Sequence, residues 1–103
     1  MEGLELVSFQ IISAVGTARS LFIEAIQEAK AGNFEAAEQK MKEGSDMFTE
    51  GHHAHASLIQ QEAAGNPTTV SLLLLHAEDQ LMSAEGFKII ATEFIDLYKS
   101  LAK

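Results

Sequence analysis

In the stretch VSLLLLHAEDQLMSA, residues 70 to 84, four leucines run into His76, and Asp79 follows one helical turn later. Side chains three positions apart on a helix share a face and can interact. An apolar helix has no structural need for an imidazole and a carboxylate there. Three roles suit such a pair. In the first, His76 is a core histidine satisfied by hydrogen bonds; Asp79 then needs partners too, because an unpaired buried carboxylate costs several kcal/mol. In the second, His76 and Asp79 join His52 and His55 in a metal site. With a turn near residue 66, His55 and His76 fall at nearly the same height, and His52 and Asp79 lie one turn away. Imidazole and carboxylate ligands on facing helices suit zinc or iron. The chain lacks the two Glu-x-x-His pairs of a di-iron site, which speaks against an oxygen-activating centre. In the third, His76 is a nucleophile that carries a phosphoryl group, since a neutral imidazole nitrogen attacks phosphorus and the bond formed is labile enough to pass the group on. Arg19 could stabilise a phosphate, but it is placed about seven residues from Asp79 in height, roughly 10 Å at 1.5 Å per residue, too far for a direct contact within one subunit. It is therefore expected to pack its stem in the core and pair its head with a nearby glutamate.

The elements that must position these residues are helical. AGNFEAA offers Gly32 as a stop and Asn33 as the next N-cap. AAGNPTTV offers Gly65 as a stop, a turn at Asn66-Pro67, and Thr68 or Thr69 as a cap. Three segments result, about 3–31, 34–64 and 69–101. Short connections make neighbours antiparallel, so the expected fold is all-α, an up-down-up three-helix bundle in a single domain over 1–103.

A helical wheel assigns the core faces. In the first helix they hold Leu4, Ile11, Ile12, Val15, Phe22, Ile23, Ile26 and Ala29. In the second they hold Phe34, Ala37, Met41, Gly44, Phe48, Gly51, Leu58 and Ile59. In the third, Leu72, Leu73, Phe87, Ile90, Ala91, Phe94, Leu97, Tyr98 and Leu101 are expected inside, with Glu78, Glu85 and Lys88 on the back. His52, His55, His76, Asp79, Gln80 and Ser83 interrupt the apolar stripes, Arg19 sits mid-stripe, and His53 points outward. The third helix also carries Leu74, Leu75, Leu81, Met82 and Ile89 outside that stripe. A helix apolar over most of its girth needs more cover than two neighbours give, and self-association would supply it.

Composition narrows the function. Apolar residues are 47 % and charged residues 21 %, ordinary for a globular chain. Net charge is −8, which argues against a phosphate backbone as partner and suits a partner with a basic face. There is no cysteine, which rules out disulfides and thiolate metal sites and favours an intracellular setting. No signal peptide is apparent. The longest unbroken apolar run is the four leucines, far short of a membrane span.

SLLLLHAEDQLMSA closely resembles the active-site helix of the lactose/cellobiose-type enzyme IIA of the bacterial sugar phosphotransferase system. GTARS at 16–20 looks like that family's first-helix signature, and EGHHAHASLIQQEA at 50–63 resembles its second-helix stretch. The similarity runs nearly end to end. It implies a parallel homotrimer of three-helix subunits in the cytoplasm. It implies that His76 takes a phosphoryl group from the histidine-containing phosphocarrier protein and gives it to a cysteine of the cognate IIB component. That component phosphorylates an incoming β-glucoside, cellobiose, chitobiose or lactose-type sugar, so contact with the membrane is only indirect, through the IIC transporter. It further implies that Asp79, one per subunit, lies near the threefold axis, where three copies can hold a divalent ion, usually taken as Mg2+. Many members read His-x-Gln-Asp-His, whereas this chain reads His76-Ala77-Glu78-Asp79-Gln80. Gln80 can offer a hydrogen bond to a phosphate or to the imidazole, but not a charge. His55 stands where many members have Gln, and the resemblance carries no role to His52 or His55.

Overall fold

The computed structural model describes residues 3–102. It contains three helices: α1 (Gly3–Lys30), α2 (Phe34–Ala63) and α3 (Leu72–Leu101). They form an antiparallel bundle of 55 × 24 × 19 Å. The two stops are those the glycines announce. After α1, Gly32 at φ 86° lets its N–H bond to the Ala29 carbonyl and the Asn33 N–H to that of Glu28. After α2, Gly65 at φ 93° repeats this with Glu62, and Asn66 bonds to Gln61. Each is a Schellman stop, which a left-handed glycine permits at no steric cost. Asn33 does occupy the N-cap of α2, though its side chain makes no capping bond. The cap of α3 is Ser71 rather than Thr68 or Thr69; its Oγ accepts from the Leu74 N–H at 3.1 Å. The stretch at 66–71, neither helix nor strand, therefore runs on past both threonines before α3 begins.

α1 is the middle layer. It lies against both partners, while α2 and α3 touch each other far less. Ile11, Val15 and Phe22 are its largest buried apolar side chains. By length and composition α1 is apolar enough to cross a membrane, a property the four-leucine run does not reveal; here its apolar face is the centre of the bundle. Two glycines of α2 let it approach closely. A Cβ on Gly44 would stand 2.6 Å from Cε1 of Phe22, and one on Gly51 would stand 2.5 Å from Cγ1 of Val15. Lys40 spans to Glu24 of α1 at 2.9 Å, and the carboxylate's hydrogen bond and charge hold its ammonium above the usual lysine range.

The core face of α3 departs from the wheel. Buried are Leu74, Ala77, Leu81, Ala84, Ala91 and Ile95. Of the residues expected inside, only Ala91 is fully buried. Leu73, Phe87 and Tyr98 are half-buried, and Leu72, Ile90, Phe94, Leu97 and Leu101 are exposed. The helix is apolar on two sides, and the averaged apolar direction falls between them. One side meets α1; the other faces out.

Candidate functional site

Around α3, the buried residue Ala77 marks the inward direction. At 100° per residue, His76 and Glu78 flank it on opposite sides. Glu78 faces α2: its Oε1 accepts a hydrogen bond from Nε2–H of His55 at 2.7 Å. Glu78 is thus not on the back, as the wheel has it, but half-exposed on the flank that faces α2. His76 lies on the other flank with Gln80 one turn below it. His76 is exposed and Gln80 half-buried. The same flank runs down to Ser83, whose Oγ accepts from Nη1 of Arg19 at 3.4 Å. Arg19 therefore ties α1 to α3 through a hydroxyl, where a glutamate was expected as partner.

Opposite Ala77, α3 presents an outward stripe. Leu75, Asp79, Met82, Gly86, Ile89 and Glu93 recur at alternating spacings of four and three, and all but the half-buried Gly86 are exposed. Asp79 thus sits within an uncovered apolar seam, and His76 borders that seam's edge.

The structure does not assemble His52, His55, His76 and Asp79 into one ligand set. His55 is held by Glu78, His52 is exposed with its ring centroid 6.1 Å from that of Phe48, and Asp79 points outward. Among the described residues no group of three or more histidine, aspartate or glutamate side chains is arranged to hold a metal ion. His53 is exposed, as the wheel places it. His55 does stand level with the His76 turn, but its partner there is Glu78. Acid and base at one height on neighbouring helices were the available signal.

An antiparallel three-helix chain with this motif on its third helix defines a class, the IIA components of sugar phosphotransferase systems. The chain belongs to the lactose/cellobiose-specific IIA family, whose model, "PTS system, Lactose/Cellobiose specific IIA subunit", matches residues 6–99. It is 40 % identical over 102 residues to the lichenan-specific phosphotransferase enzyme IIA component of Bacillus subtilis, covering 99 % of this chain and 93 % of that protein. It superposes on the cellobiose-specific enzyme IIA of Bacillus anthracis with TM-score 0.94 and 44 % identity, covering 99 % and 94 % of the two chains. It is also similar, at TM-score 0.85 and 35 % identity with full coverage of both chains, to a chain in the IIA(Chitobiose)–HPr complex of Escherichia coli.

Proposed function

We propose that His76 is the phosphoacceptor of this IIA component. The reading rests on one observation: in a chain of this family, the histidine of the matched motif is exposed at the edge of an exposed seam, not sealed in the core. The donor is the histidine-containing phosphocarrier protein, HPr, with which the solved Escherichia coli relative is complexed. In the transfer, the N–P bond of the donor breaks as an N–P bond to His76 forms. The electron pair of the broken bond returns to the donor imidazole, which regains the proton that His76 gives up. His76 (through Nε2, by resemblance) then passes the group to a cysteine of the cognate IIB component, forming S–P as N–P breaks; the electron pair returns to the His76 imidazole, which regains the proton the thiol gives up. The relatives act in lichenan and cellobiose systems, which supports a β-linked sugar as the final acceptor. A carrier between such partners works in the cytoplasm.

The working unit in this reading is a parallel homotrimer. Four-three spacing of apolar residues along α3 suits a seam of packed helices, and Leu75, Met82 and Ile89 lack cover in the single chain. Such a trimer brings three Asp79 carboxylates together. Like charges so placed repel, and hard oxygen donors suit a divalent ion such as Mg2+, which would hold the axis together and take no part in the chemistry. Gln80 is within one turn of His76 and serves as a hydrogen-bonding contact.

The test is incubation with phosphoenolpyruvate, enzyme I and HPr. The parent should gain one acid-labile phosphoryl group per chain and His76→Ala none. An acid-labile phosphoryl group on His76→Ala would overturn the assignment.

A further inference from the structure

We propose that His55 and Glu78 are a positioning pair for the phosphoacceptor turn, fixing the rotation of α3 about its axis and so the direction in which His76 points. The inference rests on the reading of His76 as phosphoacceptor.

The turn that carries His76 is lightly held. The residues before it, 64–71, form no helix or strand and are almost all exposed. Leu72 is 83 % exposed and Leu75 more than half, so Leu74 and Ala77 are the buried anchors of the first turns. Glu78 lies about 200° around the helix from His76, so whatever holds Glu78 sets the azimuth of His76. His55 holds it at 2.7 Å, with an imidazole that is itself largely covered. Among the described residues, the only other side-chain hydrogen bond between α2 and α3 joins Lys99 to Glu38, at the far end of the bundle. Between two helices that touch little overall, the His55–Glu78 bond is the polar tie near the site. Bonds between an imidazole and a carboxylate are short and directional. Phosphoryl transfer between two proteins is sensitive to such alignment, because a misplacement of about 1 Å in a reacting group can cost about a hundredfold in rate.

The experiment measures steady-state phosphorylation by phospho-HPr for four proteins: the parent, His55→Gln, Glu78→Gln, and the double variant. Each single variant is expected to lose roughly tenfold in kcat while KM for phospho-HPr stays within about twofold, since the docking surface is unchanged. The double variant, in which two amides can hydrogen-bond to each other, is expected to recover to within about threefold of the parent, with a coupling that two independent structural losses would not give. Helix content by circular dichroism should match in all four. Single variants with parental kcat overturn the pair, as does a double variant no faster than the slower single one. Neither result touches the phosphoacceptor assignment, which fails only if His76→Ala is labelled.

Discussion

The Cβ that Gly51 lacks would sit 2.5 Å from Cγ1 of Val15, with the Ile11 carbonyl oxygen at 3.6 Å. Val15 is buried and β-branched, so its χ1 has little room to swing away. Two effects oppose each other in Gly51→Ala. Removing a helical glycine gains about 1 kcal/mol, and overpacking a tight contact costs about 1–3 kcal/mol. The stiffness of Val15 and the nearby backbone favour the cost. Gly51→Ala is therefore expected to lower stability by about 1 kcal/mol in urea denaturation. Val15→Ala added to it should restore part of the loss, and an unchanged or raised midpoint for Gly51→Ala would show that the α1–α2 contact is looser than described.

The cap of α3 tests how the site's own helix is started. Ser71 Oγ accepts from the Leu74 N–H, and its carbonyl accepts from Leu75. Removing an N-cap hydroxyl typically costs about 1 kcal/mol. Ser71→Ala should lose that amount and Ser71→Asp should keep it, with amide exchange accelerated first in residues 72–76. Thr68→Ala and Thr69→Ala, at the caps expected from sequence, should be near-neutral by comparison.

How legible was all this in advance? The glycine stops, the three helices and most of the α1 and α2 faces follow from local chemistry, because breakers and one-sided apolar stripes act on neighbours in the chain; Ile23 and Ile59, expected inside, are exposed. The face of α3 did not follow. Leu74 and Leu81 point to α1, while Leu75, Met82 and Ile89 point to solvent, and composition does not distinguish a side buried within the chain from one left exposed. The site shows the same division. His76 and Asp79 stand out as polar residues in an apolar run. The role of Glu78 was hidden because a wheel ranks a glutamate as solvated unless its partner on another helix is known. Of the three positions that depart from the family's common pattern, His55, Glu78 and Gln80, the first two prove to be partners of each other.

Removal of divalent ions separates the role of Asp79 from that of His76. If three Asp79 carboxylates converge, the parent assembly gains stability from the bound ion by mass action. Chelation should then lower its thermal midpoint by roughly 5 °C. Asp79→Leu removes the repulsion, and its midpoint should sit at or above the parent's and be indifferent to chelator. Differential scanning calorimetry with and without EDTA reads both. Sedimentation showing Asp79→Leu as a monomer beside a trimeric parent would mean the carboxylates do not meet.

Ile89 probes the seam away from the ionisable centre. It is 62 % exposed in the single chain and two turns from the similarly bare Met82, on the face opposite Ala77. Within one subunit, Ile89→Glu exchanges one exposed side chain for another, so helix content should be unchanged and stability should move by no more than about 0.5 kcal/mol. In a trimer the same change forfeits about 1.5–3 kcal/mol of apolar burial per chain and brings three carboxylates together without a bound ion. The variant should sediment as a folded monomer at concentrations where the parent is trimeric. An Ile89→Glu protein that remains a trimer would place the contact between copies on another surface, and Asp79 with it.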